Sequence, residues 1–122
     1  MKKFLLLSVL VLSIIFMTGA KIGANMSQNI TQVNAKHILV SSEEQAKELK
    51  SKIESNEMTF EEAAKKYSSC PSGKSGGDLG YFPRGMMVKP FEEAAFSADI
   101  NKVTDPIQTQ FGWHLIKVVD KK

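Results

Sequence analysis

The sequence predicts an α+β domain built on a small, mainly antiparallel sheet. Two kinds of pattern support this prediction. Two segments open with helix-capping residues and continue with apolar side chains at helical spacing. Short runs that favour strands lie before and after those segments, and a tight turn at Phe111–Gly112 separates the last two of these runs. The predicted element order is β-α-α-loop-β-α-β-β.

The first 20 residues have the organisation of a secretory signal. Met1–Lys3 is basic, Phe4–Met17 is a fourteen-residue uncharged and mostly apolar run, and Thr18–Ala20 supplies small residues for a signal peptidase. A membrane-spanning helix needs about 20 apolar residues, whereas the uncharged stretch 4–20 has 17. We therefore expect residues 1–20 to be a cleaved signal peptide, with a membrane anchor as the alternative.

A cleaved signal peptide and a membrane anchor would both direct the protein out of the cytoplasm. The protein is expected to be secreted or extracytoplasmic, or to be tethered through residues 4–20 to the outer side of the cytoplasmic membrane. Residues 21–34 are polar with no sustained period, so we expect a flexible tether there. The folded domain is expected to span residues 35–122, with the β-favouring run His37–Val40 as its first strand.

Two amphipathic helices are predicted after this strand. Ser41–Glu44 and Thr59–Glu62 both have the sequence of a capping box, in which a hydroxyl accepts an early backbone N–H and the glutamate reaches back. Apolar residues then recur at helical spacing. They are Ala46, Leu49 and Ile53 in the first helix, and Phe60, Ala63, Ala64 and Tyr67 in the second. We expect both apolar stripes to belong to the core.

The second half of the domain supplies three more strands and one helix. Asp78–Phe82 is a predicted strand, and Pro90–Ser97 is a predicted short helix with proline near its start. Ile107–Gln110 and Trp113–Val119 are predicted strands, which Phe111–Gly112 joins in a turn that needs the freedom of glycine.

Charge and motif content argue against several classes of function. Sixteen basic and 13 acidic side chains give a formal charge of +3, which falls to +1 without Lys2 and Lys3. The sequence has no basic stripe, so nucleic-acid binding is not expected. The glycine-rich segment matches neither common phosphate-loop pattern, and no Cys or His pair has a metal-ligand interval. We therefore expect no metal and no other cofactor.

The single cysteine and the two histidines form the most suggestive chemical set. His37 lies in the first predicted strand, His114 in the last, and Cys70 in the glycine-rich loop between them. The first and last strands of an antiparallel sheet often lie side by side, so the three side chains could converge although 77 residues separate the histidines. Each also has a plain structural explanation, because a strand histidine is often a core residue and a lone cysteine often a small hydrophobe.

Five motifs follow one another in the predicted domain. They are A-K-H-I-L-V at Ala35–Val40, S-x-C-P-S-G-x-x-G-G-D-L-G at Ser68–Gly80, F-x-x-G-x-M-V at Phe82–Val88, P-F-x-x-A-x-F at Pro90–Phe96, and T-Q-F-G-W-H-L-I-K-V at Thr109–Val118. In this order they resemble the parvulin family of peptidyl-prolyl cis/trans isomerases. The resemblance covers the chain from about Ala35 to Val119.

The resemblance implies a fold and an activity. The fold is a four-stranded, mainly antiparallel sheet surrounded by about four helices, as in parvulin and FKBP-like domains. The activity is cis/trans isomerisation of Xaa-Pro bonds in unfolded or partly folded proline-containing polypeptides, which assists the folding of exported proteins. We expect the protein to act as a monomer.

The resemblance also implies a polar group of site residues. By motif position, His37 and His114 resemble the paired sheet histidines, and Cys70 resembles the active-site thiol. Thr109 resembles the hydroxyl that hydrogen-bonds within the histidine network. Two roles for Cys70 stay open at this point: a nucleophile that attacks the substrate carbonyl, or a spectator that tunes local polarity. We favour the spectator, because isomerisation needs no covalent step.

An apolar group of site residues is implied as well. Met87 and Phe91 resemble the walls of a proline pocket, with Leu79 beside them, and Phe111 stands where other members carry an apolar ring or a small polar residue. The loop Ser41–Glu44 is acidic, whereas phosphoserine-directed members carry a basic cluster there. We therefore expect a preference for uncharged or apolar residues before proline, and not for phosphoserine.

Two rival functions remain possible from the sequence. The stronger is a noncatalytic peptide-binding chaperone module with the same fold. The weaker is a Cys–His hydrolase or thiol peroxidase, which would show an irreversible or peroxide-dependent reaction at Cys70.

Overall fold

The computed structural model describes residues 30–122, which form a four-stranded sheet with three α-helices and one 3₁₀ helix. The elements are β1 (Gln32–Val40), α1 (Glu43–Glu54), α2 (Phe60–Tyr67), the 3₁₀ helix (Pro71–Ser75), β2 (Asp78–Pro83), α3 (Lys89–Ser97), β3 (Ile107–Thr109) and β4 (Gly112–Lys121). The predicted α+β fold is confirmed. The predicted leader, residues 1–20, and residues 21–29 of the predicted tether lie outside the described residues. Within residues 30–122, no helix has the length and apolar character needed to cross a membrane.

The first strand begins earlier than predicted. It starts at Gln32 rather than His37, so residues 32–34 belong to the sheet and not to the predicted tether. Val33 and Ala35 are fully buried, and Gln32 exchanges two backbone hydrogen bonds with the last residue of the chain. Polar residues alternate with these apolar ones, as expected for a strand with one buried face. That alternation is too short in the sequence to stand out from the polar residues before it.

The sheet has the strand order β2-β1-β4-β3, and all three pairings are antiparallel. The first and last strands therefore lie side by side, as expected, and they are the two central strands of the sheet. Ile38 lies opposite Leu115, and Leu39 lies opposite His114. Because residues opposite each other share a face and neighbours along a strand alternate, His37, Leu39 and His114 lie on one face, and Ile38 and Leu115 lie on the other.

Helices α1 and α2 cover the face that carries Ile38 and Leu115. The predicted apolar stripes of both helices form this core with residues of the central strands. The fully buried cluster comprises Ile38, Val40, Ala46, Leu49, Phe60, Ala63, Ala64 and Leu115, with Ile53, Met58, Tyr67, Val103 and Trp113 packed against it. Burial of this apolar surface is the main force that fixes both helices on the sheet.

The helix caps agree with the sequence in one case and differ by one residue in the other. Thr59 and Glu62 form the predicted capping box, with N–H···O distances of 3.0 Å in both directions. At the start of α1 the cap is Ser42 and not Ser41, because the Ser42 hydroxyl accepts the N–H of Gln45 at 3.1 Å. The predicted box Ser41–Glu44 is therefore wrong by one position.

Helix α3 packs on the opposite face of the sheet, which carries the histidines. Phe82 of β2 lies between two phenylalanines of this helix, with ring centroids 6.1 Å from Phe91 and 6.3 Å from Phe96. All three rings are buried. Tilted and edge-on contacts at these distances are favourable for aromatic rings. The aromatic group fixes α3 beside the histidines and leaves part of the same face uncovered.

Candidate active site

Two buried histidines meet on the face of the sheet beside α3. In the β1–β4 register His37 lies opposite Ile116 and His114 opposite Leu39, so the two imidazoles are diagonal neighbours. Their rings stack with centroids 5.3 Å apart and an angle of 18° between planes, and their Nδ1 atoms are 3.1 Å apart. This distance fits a hydrogen bond in which one Nδ1 carries a proton and the other accepts it.

Both imidazoles are neutral at neutral pH. Burial lowers the pKa of His37 to about 4, and the repulsion between the two rings when both are protonated contributes to this lowering. Burial also lowers the pKa of His114 below its usual range. A neutral imidazole has one N–H and one bare nitrogen, so each ring donates one hydrogen bond and accepts one.

The histidine pair belongs to a longer chain of hydrogen bonds. On one side, Nε2 of His114 is 2.8 Å from the hydroxyl of Thr109, which also accepts the N–H of Phe111 at 3.1 Å. On the other side, Nε2 of His37 is 3.1 Å from the hydroxyl of Ser72. The Ser72 hydroxyl in turn lies 3.3 Å from Sγ of Cys70 and donates to it. The chain therefore links Thr109 to Cys70 through both imidazoles.

The hydrogen bond from Ser72 to Cys70 sets a consistent direction for the protons of this chain. A hydroxyl has a single hydrogen, and Ser72 donates its hydrogen to Cys70, so Ser72 accepts from Nε2–H of His37. Nδ1 of His37 is then bare and accepts from Nδ1–H of His114. Nε2 of His114 is bare in turn and accepts the hydroxyl hydrogen of Thr109. Every polar atom of the chain is thereby satisfied without a charge.

The glycine-rich segment is fixed along β1, which places Cys70 near the histidines. The N–H of Ser69 donates to the carbonyl of Leu39 at 2.8 Å, and the N–H of His37 donates to the carbonyl of Gly77 at 2.9 Å. Gly77 has φ +86°, and a Cβ there would lie 2.4 Å from the carbonyl oxygen of His37. Only glycine allows this approach. Cys70 itself is half-buried.

A mainly apolar cavity of about 510 Å³ opens beside the histidines. Its lining comprises His37, Leu39, Ser69, Cys70, Pro71, Leu79, Met86, Met87, Val88, Phe91, Phe111 and His114. None of these described residues carries a charge while the histidines are neutral. A concave apolar site with a few polar groups at one side is the usual form of a binding pocket.

Phe91 contacts the histidine pair and also lines the apolar cavity. Its ring meets both imidazoles edge-on, with centroids 5.4 Å from His37 and 5.2 Å from His114. It is 3% exposed, whereas Phe111 and Met86 are 61% and 64% exposed. Phe91 therefore forms a rigid wall of the cavity, and Phe111 and Met86 are its exposed apolar side chains.

The structure brings together every residue that the sequence assigns to the site. His37, Cys70, His114, Leu79, Met87, Phe91 and Phe111 line the cavity, and Thr109 contacts His114 through its hydroxyl. Ser72 is the polar residue that the sequence reasoning missed. The signal was its position in the S-x-C-P-S-G motif, where it falls at the start of the 3₁₀ helix. Leu39, Ser69, Pro71, Met86 and Val88 were also missed as lining residues.

Comparison with protein families identifies the folded region. The sequence profile described as the PPIC-type PPIase domain matches residues 20–122. The foldase protein PrsA of Geobacillus kaustophilus is 49% identical over 92 residues, which are 75% of this chain and 32% of that protein. The foldase protein PrsA of Oceanobacillus iheyensis is 48% identical over 91 residues, or 74% of this chain and 30% of that protein. The chain thus spans about a third of the length of these curated relatives.

Solved structures agree with the sequence comparison. The crystal structure of the peptidylprolyl isomerase PrsA from Bacillus anthracis is 45% identical with a TM-score of 0.74, over 76% of this chain and 43% of that chain. The solution structure of NmPin, the parvuline of Nitrosopumilus maritimus, is 42% identical with a TM-score of 0.68, over 74% of this chain and 97% of that one. The described region therefore corresponds to nearly the whole of NmPin.

Proposed function

The chain belongs to the PPIC-type peptidyl-prolyl cis/trans isomerases, the parvulins, and we propose that its cavity binds the proline ring of an Xaa-Pro bond while that bond rotates. The observation that carries this proposal is the apolar cavity of about 510 Å³ beside a buried, neutral histidine pair. The proposed substrates are unfolded or partly folded polypeptides, and the protein works without a cofactor.

The proposed reaction needs no bond to be broken. Rotation about a peptide bond has a barrier of roughly 18–20 kcal/mol, because the C–N bond has partial double-bond character. An Xaa-Pro bond therefore rotates in tens to hundreds of seconds. An enzyme accelerates the rotation if it binds the twisted amide more tightly than the planar one. An apolar cavity favours the twisted form. The planar amide has more charge separation and therefore loses more hydration free energy when it leaves water.

The cavity walls suit a proline ring. Phe91 offers a flat, buried wall, and Met87 is a flexible apolar side chain that adapts to the ring as it turns. Leu79 lies with them in the same lining. We propose that these three residues hold the pyrrolidine ring while the preceding carbonyl rotates on the side of Cys70 and the histidines.

We assign Cys70 a polar, noncovalent role. The hydrogen-bond partner that lies between Cys70 and the histidines is the hydroxyl of Ser72, so no imidazole is in direct contact with the thiol in the chain of hydrogen bonds. His37, the nearer histidine in that chain, has a pKa of about 4 and is a weak base. A nucleophilic role would need a stronger base in direct contact.

The proposed specificity is for an uncharged or apolar residue before proline. The described lining residues carry no charge, and Phe111 presents an exposed apolar ring. Glu43 and Glu44, in the first turn of α1, place negative charge where a phosphate-binding member would need positive charge. A phosphoserine dianion therefore gains no ion pair from these residues.

A peptide series tests the activity and the preference together. Isomerisation rates are measured by two-dimensional exchange NMR on peptides that differ only in having leucine, alanine, glutamate or phosphoserine before proline. We expect leucine to exceed phosphoserine by about tenfold or more in kcat/KM, equivalent to ~1.4 kcal/mol. A faster phosphoserine peptide would overturn the preference, and no acceleration of any peptide would overturn the activity.

The exposed apolar side chains of Met86 and Phe111 favour one other candidate, a noncatalytic peptide-binding chaperone module. Such a module would bind the leucine peptide, with chemical shift changes at the cavity, but would leave its exchange rate unchanged. The same NMR samples therefore distinguish the two functions.

We place the proposed activity outside the cytoplasm, on exported clients. The support is the signal-like sequence of residues 1–20 together with the curated relatives, which are called foldases. Cell fractionation with a protease-protection assay would measure whether the protein is released from cells or retained on the outer side of the cytoplasmic membrane. Full protection from external protease in intact cells, with no release, would contradict this placement.

A further inference from the structure

Glu92 is a buried glutamate that directly follows Phe91, a wall of the proposed proline pocket. Glu92 is 6% exposed although it carries a charge, which is rare for glutamate unless it is paired. One oxygen, Oε1, accepts the N–H of Gly85 at 2.7 Å, and the other, Oε2, lies 3.3 Å from Nη1 of Arg84. These contacts, with the Gly85 N–H first, lower the pKa of Glu92 below its usual range. The carboxylate is therefore ionised and bound on both oxygens.

The two partners of Glu92 belong to the segment that supplies the methionines of the cavity. Residues 84–88 connect the end of β2 to the start of α3, and residues 84–87 lie outside both elements. Met86 and Met87 lie in this segment and line the cavity. Gly85 has φ +90° and open space around it, so its backbone turns here without steric confinement.

Glu92 connects this segment to the rigid wall of the cavity. It directly follows Phe91 in the first turn of α3, and its N–H donates to the carbonyl of Val88 at 2.9 Å. Arg84, which binds its carboxylate, also lies over the ring of Phe96 at 4.1 Å from the ring centroid. The segment is therefore attached to α3 through the Val88 carbonyl at its end and, before that, through the Gly85 N–H and the Arg84 side chain.

We propose that Glu92 is a positioning residue that holds Met86 and Met87 opposite Phe91 and so sets the width of the proline pocket. The inference rests on the proposed function for its substrate. A charged carboxylate suits this task because hydrogen bonds to an ionised acceptor are short and about twice as strong as neutral ones. Burial of the carboxylate shields its bond to Gly85 from competition with water, whereas the side chain of Arg84 is exposed.

Glu92→Gln tests the proposal in the full chain, with Glu93→Gln as the matched control. Glutamine keeps the shape but removes the charge that binds Gly85 and Arg84. Glu93 is an exposed neighbour whose ion pair with Lys89 is long, at 4.0 Å. On a leucine-proline peptide we expect Glu92→Gln to raise KM about five- to tenfold with kcat changed less than about twofold, and Glu93→Gln to change neither.

Amide hydrogen exchange of Gly85 supplies the structural readout. We expect faster exchange at Gly85 in Glu92→Gln and an unchanged rate in Glu93→Gln, because only the first replaces the charged acceptor of that N–H with a neutral and weaker one. A purely stabilising role for Glu92 would lower the melting temperature but leave KM of the folded protein unchanged. An unchanged KM in Glu92→Gln therefore overturns the proposal.

Arg84→Gln decides the question if Glu92→Gln does not fold. The Arg84 side chain is 58% exposed, so its replacement should leave the fold intact. We expect a smaller rise in KM, about two- to threefold, because the Gly85 bond remains. An unchanged KM in that case overturns the proposal. If the unaltered protein accelerates no peptide, the proposed function fails, and the positioning role is then decided by peptide affinity and Gly85 exchange in the same variants.

Discussion

At the level of single residues, the site depends on two imidazoles that stay uncharged inside the protein. Each ring is fixed on both nitrogens, by the other histidine and by a hydroxyl of Ser72 or Thr109. A proton added to either ring would leave two N–H groups facing each other across 3.1 Å, or a hydroxyl that must reverse its donor role. Acid should therefore disturb this site before it disturbs the rest of the domain.

The lowered histidine pKa values predict a loss of stability in mild acid. His37 has a pKa of about 4 in the folded protein against a usual value of 6.5, so the unfolded chain binds more protons between these values. Stability is therefore full above pH 6.5 and falls as the pH drops towards 4. For His37 alone we expect a loss of about 2 kcal/mol between pH 7 and 5, with a further loss from His114, measured by urea denaturation.

The pH window separates the histidines from the carboxylates. Glu61, Glu92 and Asp120 have lowered pKa values, so their contribution is lost only as the pH falls below the usual carboxylate range. A His37→Asn variant is the control and should lose most of the dependence between pH 7 and 5. A wild-type free energy of unfolding that stays constant over that interval would show that the imidazoles are not held neutral by the fold.

The noncovalent role of Cys70 gives a second residue-level prediction. Cys70→Ala removes an acceptor at the end of the hydrogen-bond chain, whereas Met87→Ala removes a pocket wall. We expect kcat/KM on the leucine-proline peptide to fall less than about tenfold in Cys70→Ala and more than about tenfold in Met87→Ala. Both side chains are half-buried, so both variants should fold. A loss in Cys70→Ala as large as that in Met87→Ala would point to a covalent step instead.

At the level of elements, local chemistry fixes where the helices start, and packing decides which faces they present. Helix α2 starts at a complete capping box, and its residues Phe60, Ala63 and Ala64 are buried against the sheet. Helix α3 begins without a side-chain cap and has Pro90 in its first turn. It is held instead by its aromatic contacts with Phe82 of β2.

The caps give a prediction for the elements. Thr59→Ala should lower the free energy of unfolding by about 1 kcal/mol, because the N–H of Glu62 loses its acceptor. Ser41→Ala is the control, since the cap of α1 is Ser42, and it should change stability by less than about 0.5 kcal/mol. Urea denaturation measures both. If Thr59→Ala lowered the free energy of unfolding no more than Ser41→Ala does, the capping hydrogen bond of Thr59 would not stabilise the domain.

At the level of the whole molecule, the two ends of the described region form the centre of the sheet. β1 and β4 pair along nearly their whole length, from Val33 opposite Lys121 to Val40 opposite Trp113. This pairing closes almost the entire domain as one loop, and such long-range contacts slow folding. The histidine pair forms only when that pairing is complete, so the site and the sheet are expected to form together.

Refolding kinetics test this expectation. Trp113 is the only tryptophan of the chain and lies in the β1–β4 pairing, so its fluorescence reports on that pairing. After dilution from urea, we expect the Trp113 signal and the far-UV circular dichroism signal to recover together, on a scale of about milliseconds to seconds. Recovery of Trp113 fluorescence within microseconds would contradict a central role for the long-range pairing.

The sequence by itself determined the elements, their order and the types of residue at the site. Hydrophobic periodicity and caps located the helices to within a few residues, because both signals are local. The motifs then supplied the eight predicted site residues, which the fold brings together. The start of β1 was misplaced, since the strand residues Gln32 and Asn34 resemble the polar stretch before them and only their pairing in the sheet distinguishes them.

Only the tertiary structure decided how those residues act on one another. The burial that lowers the pKa of His37, and its contacts with His114 and Ser72, depend on distances between residues 77 and 35 positions apart in the chain. The hydrogen bond between Glu92 and Gly85 depends on how the chain turns between β2 and α3. Spacing along a sequence carries no record of such distances, because chain packing sets them. The sequence thus specified the chemical groups of the pocket, and the fold specified their protonation and their positions.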